Sequence, residues 1–261
     1  MKDQSEFPSG GIAQGEPGEV DLEAELKARD EFLSAVAHEL RNPLNALHLT
    51  LEGLIRTQSG NTPLAPEQVV SRVTRASTQV DRLAALIDVL LDVSRISTGR
   101  LQLQFEDFDA AAVLSAVVAR LKDQASPSQI SLSMPPSLII QGDRARYTQI
   151  AGSLLSNAIA FGNQRPIEVR LESDASTIRL KVIDHGIGIA DADQQRIFER
   201  FQKVAKDSPT IGFGIGLWVT REVVRALDGE IHLTSKLGEG STFVVELPKL
   251  NLVATTAPAT K

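Results

Sequence analysis

The chain has 261 residues, 42% hydrophobic and 23% charged, with 9 Phe, 1 Tyr and 1 Trp; at about 150 residues per domain this points to two modules and excludes a wholly disordered chain. The absence of cysteine excludes disulfide scaffolds, cysteine–zinc sites and thiol nucleophiles. The net charge of −6 is carried by residues 1–31, where nine acids face three bases, and the other 230 residues balance at 24 of each, so the broad positive field that nucleic-acid binding needs is missing.

Residues 1–20 are rich in Gly, Ser, Pro and Gln and read as a disordered leader or linker. From Leu22 to Ile55 leucines recur every seven residues at Leu26, Leu33, Leu40, Leu47 and Leu54, which predicts one long amphipathic helix with a narrow seam. The stretch Thr57 to Pro66 is a turn by its Gly, Asn and two prolines. Val73, Ala76, Val80, Leu83, Ile87 and Leu90 then alternate steps of three and four up to a stop at Gly99. Two such helices make an antiparallel hairpin, and pairing two hairpins as a four-helix bundle buries both seams. A homodimer is therefore expected; the alternative is that both helices pack on the downstream domain.

Beyond Phe105 the periodicity mixes. Ala110–Leu121 and Arg144–Ala160 read as helices, while Ile130–Met134, Leu138–Ile140, Ile167–Leu171, Ile178–Ile183, Ile231–Ser235 and Thr242–Leu247 read as strands. The fold class is α+β: the dimerising hairpin over 21–100, then an α/β two-layer sandwich over 101–249 with helices beside a largely antiparallel sheet. Residues 250–261 read as a flexible tail. No apolar run approaches the roughly 18 residues of a membrane span, so the chain is expected to be soluble without a membrane segment.

With Ala37 at heptad position a and Leu40 at d, His38 falls at b and faces solvent, sharing an exposed stripe with Asn42 and Asn45. Pro43 removes a helical hydrogen bond beside it and predicts a bend. A neutral imidazole is a competent nucleophile near pH 7, and Glu39 can hold its tautomer and accept its proton. Alone, an exposed helical histidine is ordinarily a solvated side chain. The string Phe32-Leu-Ser-Ala-Val-Ala-His38-Glu39-Leu40-Arg41-Asn42-Pro43-Leu44, however, resembles the phosphoacceptor box of two-component sensor histidine kinases. His48 lies about 80° from His38 around the helix, so the two form no metal pair; His185 and His232 read as structural or surface residues.

Two glycine-rich loops follow, Asp184-His-Gly186-Ile-Gly188 and Gly212-Phe-Gly214-Ile-Gly216, the second running into a helix near Trp218, with a possible turn at Gly238 to Thr242. Such loops allow close backbone approach to a flat or anionic ligand, and helix N-terminal amides suit phosphate. Upstream, the Asn157 amide oxygen suits Mg²⁺, which favours hard oxygen ligands. Asn157, the Asp184 loop, Ile197 to Phe201, the Gly212 loop and the Gly238 turn are, in this order, similar to the boxes of the Bergerat-type ATP-binding domain. The resemblance covers about residues 22–248.

The resemblance implies that Asp184 accepts a hydrogen bond from the adenine amino group, that Gly186 and Gly188 admit the base under Phe161, and that Asn157 holds Mg²⁺ bridging the phosphates. Gly212, Gly214 and Gly216 would cradle phosphate, Arg200 or Lys203 would steady its γ end, and Thr242 belongs to the last box. It implies ATP-dependent phosphorylation of His38, transfer to an aspartate of a response regulator receiver domain, and phosphatase action on that regulator through Asn42, in a cytoplasmic module whose parent protein could be tethered to a membrane upstream. The nucleotide lobe must travel to His38, with a hinge near Gly99 to Asp109. Ser153, Ala160, Gly162, Ile211 and Phe213 depart from the family pattern. They motivate the alternative of a degenerate kinase serving as a dimeric scaffold or receiver-docking protein; a third reading is a Bergerat-type ATPase or serine kinase.

Overall fold

The computed structural model describes residues 17–58, 65–125, 129–200 and 214–249. Helices α1 (Pro17–Gln58) and α2 (Pro66–Ser97) pack against each other as a hairpin. Helix α1 begins at Pro17, so residues 17–20, expected to belong to the leader, form its first turn, and Thr57 and Gln58, expected in the turn, are its last residues. Residues 1–16, 59–64 and 250–261 lie outside the described part of the chain. The helix continues through Pro43, which is buried. Pro66 opens α2 after an extended Ala65, where the missing N–H would have had no helical partner anyway. Gly99, at φ 63°, ends α2 where a side chain would be strained; its N–H donates to the Ile96 carbonyl at 3.0 Å and that of Arg100 to Arg95 at 2.8 Å.

Strand β1 (Glu106–Asp109) leads directly into α3 (Ala110–Ala125). Asp109 starts that helix: its Oδ1 accepts from the Ala111 N–H at 2.9 Å and the Leu138 N–H at 3.0 Å. These bonds, Leu138 first, hold its carboxyl below the usual carboxylate range. Strands β2 (Ile130–Ser133) and β3 (Ile139–Gly142) precede α4 (Arg144–Phe161), followed by β4 (Ile167–Ser173), β5 (Thr177–Asp184), α5 (Gly216–Ala226), β6 (Glu230–Lys236) and β7 (Gly240–Pro248). The main sheet runs β2-β4-β5-β7-β6, parallel only at β2–β4, while β1 and β3 form a separate antiparallel pair.

Buried and half-buried residues alternate along β4 and β5, the signature of a sheet with one covered face. Leu154, Leu155, Ile167, Val169 and Leu180 belong to the buried core between helices and sheet, each large side chain contributing about 1.5–3 kcal/mol. Truncating Leu154 to Ala would cost about 2–5 kcal/mol. The core extends to the hairpin through Val93, with Val36, Leu86, Val89 and Ile96 packed at its edge. The lobe thus covers one side of α2, whereas the alternative sequence reading had both helices packed on it. Yet Val73, Val80 and Ile87, at heptad spacing, stay 53%, 52% and 49% exposed.

Candidate active site

The N-terminal turn of α4 joins the lobe to the hairpin. Asp143 caps that helix, its Oδ1 accepting from the Arg146 N–H at 3.0 Å and its Oδ2 from the Gln104 N–H at 2.9 Å. Asp92 of α2, itself buried, accepts at Oδ2 from Arg146 Nη1 and Gln149 Nε2, both at 2.6 Å. A cleft of about 1220 Å³ opens between these elements and runs along α4 to the end of β5. That volume exceeds the usual range for a small-molecule pocket.

One end of the cleft is built by the turn after β5. Asp184 is buried at its floor, with Oδ1 accepting from the Gly186 N–H at 2.9 Å. Burial pushes its carboxyl above the usual carboxylate range, against the backbone donors of Gly186 and Ser241 that pull it down. The Ile187 N–H donates to the Phe161 carbonyl at 3.1 Å, clasping this turn to the end of α4. Asn157, Phe161, Ile187, Ile189 and Phe243 complete an amide-and-apolar surround at this end. The set suits a flat base whose exocyclic amine donates to a buried carboxylate.

The structure sorts the residues expected from sequence. Asn157, Phe161, Asp184, Gly188, Gly214 and Gly216 line the cleft. Gly186 does not: a Cβ there would sit 1.8 Å from the Phe161 carbonyl oxygen, so its bareness serves backbone packing rather than ligand access. Thr242 also lies off the cleft, because strand alternation turns its neighbour Ser241 inward; Ser241 pairs with Asp184 across the sheet. Arg200 is not in the cleft wall; its guanidinium stacks 4.3 Å over the Trp218 ring. Lys203, Ile211, Gly212 and Phe213 lie outside the described residues.

Gly216 opens α5, and its carbonyl accepts from Thr220 Oγ1 at 2.8 Å. With that proton used, the Thr220 hydroxyl oxygen accepts from Ser153 Oγ at 2.8 Å, so Ser153 ties α4 to α5. Sequence reasoning missed the α2 side of the cleft, notably Asp88 and Asp92, together with Arg120, Arg146 and Gln149. An acid inside the apolar run Leu90-Leu91-Asp92-Val93 was the available signal, since such a residue requires a partner.

On α1, His38 and Asn42 are exposed and Glu39 is half-buried. A Cβ on Gly53 would meet Arg72 Nη1 at 3.3 Å, so the C-terminal part of α1 lies beside the N-terminal part of α2. His185 and His232 are exposed beside Glu168 at 3.7 Å and Glu230 at 3.4 Å. Among the described residues no group of three His, Cys, Asp or Glu could hold a metal ion.

Comparison with known proteins agrees with this geometry. Residues 28–99 match the family model described as His Kinase A (phospho-acceptor) domain, and residues 142–251 the one described as Histidine kinase-, DNA gyrase B-, and HSP90-like ATPase. The sensor-like histidine kinase SenX3 of Mycolicibacterium smegmatis is 32% identical over 226 residues, 85% of this chain and 58% of that protein. The chain thus spans little more than half the length of this relative. The Acinetobacter baumannii histidine kinase AdeS superposes with a TM-score of 0.58 at 27% identity, covering 82% of this chain and 98% of that one. Full-length ShkA in complex with AMPPNP gives a TM-score of 0.58 at 26% identity, over 83% of this chain and 45% of that one.

Proposed function

Since the chain belongs to the two-component sensor histidine kinases and carries their catalytic core, we propose that it binds ATP with Mg²⁺ in the α4 cleft, phosphorylates His38 and passes the phosphoryl group to an aspartate of a receiver domain. The observation that carries this reading is an exposed imidazole on the first helix of a hairpin whose second helix walls a cleft lined by a buried carboxylate.

Asp184 would accept from the adenine amino group, while Phe161, Ile187 and Ile189 exclude water around the ring. Asn157 offers one amide oxygen to the metal. With no carboxylate–imidazole cluster among the described residues, the remaining ligands would be phosphate oxygens and water, the usual habit of Mg²⁺. Bound there, the ion would neutralise charge on the phosphates. Gly214 and the first turn of α5 lie on the same wall, where helix N-terminal amides favour negative charge. An imidazole nitrogen of His38 then attacks the γ-phosphorus, the bond to the bridging oxygen breaks and ADP leaves. Glu39, next in sequence, takes the imidazole proton. Catalysis rests on alignment and charge neutralisation.

In this reading Asn42, on the exposed face of His38, orients water for dephosphorylating the regulator. A homodimer follows from the half-exposed apolar residues Val73, Val80 and Ile87, which a second copy of the hairpin would cover as a four-helix bundle. Among the described residues no helix is long and apolar enough to cross a membrane; we assign the module to the cytoplasm, where ATP and receiver domains meet it.

The test is incubation with γ-labelled ATP and Mg²⁺, followed by addition of purified receiver domains. Wild type should take up acid-labile, alkali-stable phosphate and lose it to a receiver. Equal labelling of His38→Gln would overturn the assignment.

A further inference from the structure

We propose that Arg120 of α3 binds the γ-phosphate of the nucleotide, supplying the cation that the expected positions lack. This deepens the kinase reading above and rests on it. Ala160, one of the departures from the family pattern, carries no charge; Arg200 is stacked over Trp218, and Lys203 lies outside the described residues. Among the described residues the cations that line the cleft are Arg95, Arg100, Arg120 and Arg146. Arg146 is held by Asp92 and Gln149. Arg95 lies near the end of α2 and Arg100 just past it, so both stay with the hairpin when the lobe travels. Arg120 is the cation of this set that the lobe carries with it unengaged.

Helix α4 is the ruler along which the nucleotide lies. At its C-terminal end a Cβ on Gly162 would stand 3.8 Å from Asp184 Cβ, so the carboxylate assigned to adenine is level with that residue. Asn157, assigned to the metal, is five residues back, about 7.5 Å along the axis. Gly152 is ten residues back, about 15 Å along it. An extended triphosphate whose base sits at Asp184 and whose phosphates pass Asn157 brings its γ end to the height of Gly152 and Ser153, both in the cleft wall.

At that height Arg120 reaches across from α3. Its Nη2 lies 3.6 Å from where a Cβ on Gly152 would stand, so the guanidinium rests against a bare turn of α4 instead of extending into solvent. A glycine inside a helix is unfavourable, and here it keeps the space between the guanidinium and the cleft clear of side chain. Arg120 has no ion-pair or hydrogen-bond partner among the described residues. The polar side chains of α4 on either side of Gly152 are committed elsewhere, Ser153 to Thr220 and Gln149 to Asp92. A planar, permanently charged guanidinium presents paired N–H donors that match two phosphate oxygens. Set against the γ end, it neutralises charge on the phosphoryl group that passes to His38.

The test separates the γ-phosphate from the rest of the nucleotide. Full-length wild type, Arg120→Gln and Arg120→Lys are titrated calorimetrically with AMPPNP and with ADP in the presence of Mg²⁺. Arg120→Gln should weaken AMPPNP at least tenfold, about 1.4 kcal/mol, while ADP changes less than about threefold. Arg120→Lys, which keeps the charge, should recover most of the AMPPNP affinity. An AMPPNP affinity that Arg120→Gln leaves within about twofold of wild type, or an equal loss for AMPPNP and ADP, would overturn the assignment. Wild type that binds neither ligand would instead overturn the kinase reading itself. Asp184→Asn that loses both ligands beside an unaffected Arg120→Gln would keep that reading and remove Arg120 from it.

Discussion

Asp92 of α2 and Arg146 of α4, 54 residues apart in the chain, meet at 2.6 Å with side chains only 6% and 12% exposed. Gln149 adds a second donor to the same carboxylate oxygen and accepts from Arg146 at 2.8 Å. The pair fastens the nucleotide lobe to the hairpin. Removing one partner of a buried pair strands the other charge, at a cost of about 3–5 kcal/mol, whereas an apolar replacement of both is often neutral. Asp92→Ala should lower the urea-derived stability of the docked form by that amount, and the double variant Asp92→Leu/Arg146→Met should recover most of it. A loss below about 1 kcal/mol in the single variant would mean the lobe is held by its apolar contacts alone.

Tyr147 is 2% exposed against Phe108, ring centroids 5.6 Å apart. Its hydroxyl has no hydrogen-bond partner among the described residues, and burial holds its proton on well above the ordinary tyrosine range. An unmatched buried hydroxyl costs about 1–3 kcal/mol. Tyr147→Phe should keep the ring contact and raise stability by about 1 kcal/mol in denaturant titration; a clear loss would show that the hydroxyl is bonded after all.

The carboxyl of Asp184 has its folded-state pKa raised by burial, so its ionised form is a liability to the folded chain at neutral pH. That liability is absent below the unfolded pKa and grows as pH rises from there through the folded one. Asp184→Asn should leave the nucleotide-free protein at least as stable as wild type at pH 7, while ATP affinity falls at least tenfold, about 1.4 kcal/mol. Wild-type ATP affinity should weaken as acid protonates the carboxylate over the same window. Calorimetry and thermal denaturation across pH check both; a variant that is less stable yet binds ATP normally would contradict the assignment.

What could be read from sequence was whatever repeats locally. The heptad leucines gave α1 and the alternation in Ile178 to Ile183 gave β5; His38 is exposed as expected, though Ala37, read as a seam position beside it, is exposed as well. What depends on long-range register was hidden. Whether Ser241 or Thr242 faces the cleft is set by the pairing of Asp184 with Ser241, and one residue of slip would exchange them. Gly186 reads as a ligand loop until the Phe161 carbonyl is seen against it. Arg200 reads as a phosphate contact until Trp218 is seen beneath it. Strand β1, only four residues long, pairs with β3 away from the main sheet and left no periodic trace.

The exposed stripe makes the oligomeric state testable. Burying a large apolar side chain contributes about 1.5–3 kcal/mol, and a carboxylate placed at the seam adds a desolvation cost. Val80→Glu/Ile87→Glu should shift sedimentation from dimer to monomer and weaken association at least a hundredfold, about 2.7 kcal/mol, with the lobe's circular dichroism unchanged. A dimer that survives both changes would place the second copy elsewhere.

The most direct measurement locates the phosphate. After incubation with ATP and Mg²⁺, digestion with trypsin at neutral to mildly alkaline pH releases residues 30–41, in which His38 is the only histidine. Fragmentation should find one phosphoryl group on that imidazole in wild type and none in Asn157→Ala. Phosphate on Ser34 or another hydroxyl, or an unmodified peptide from protein shown to bind ATP, would contradict the account.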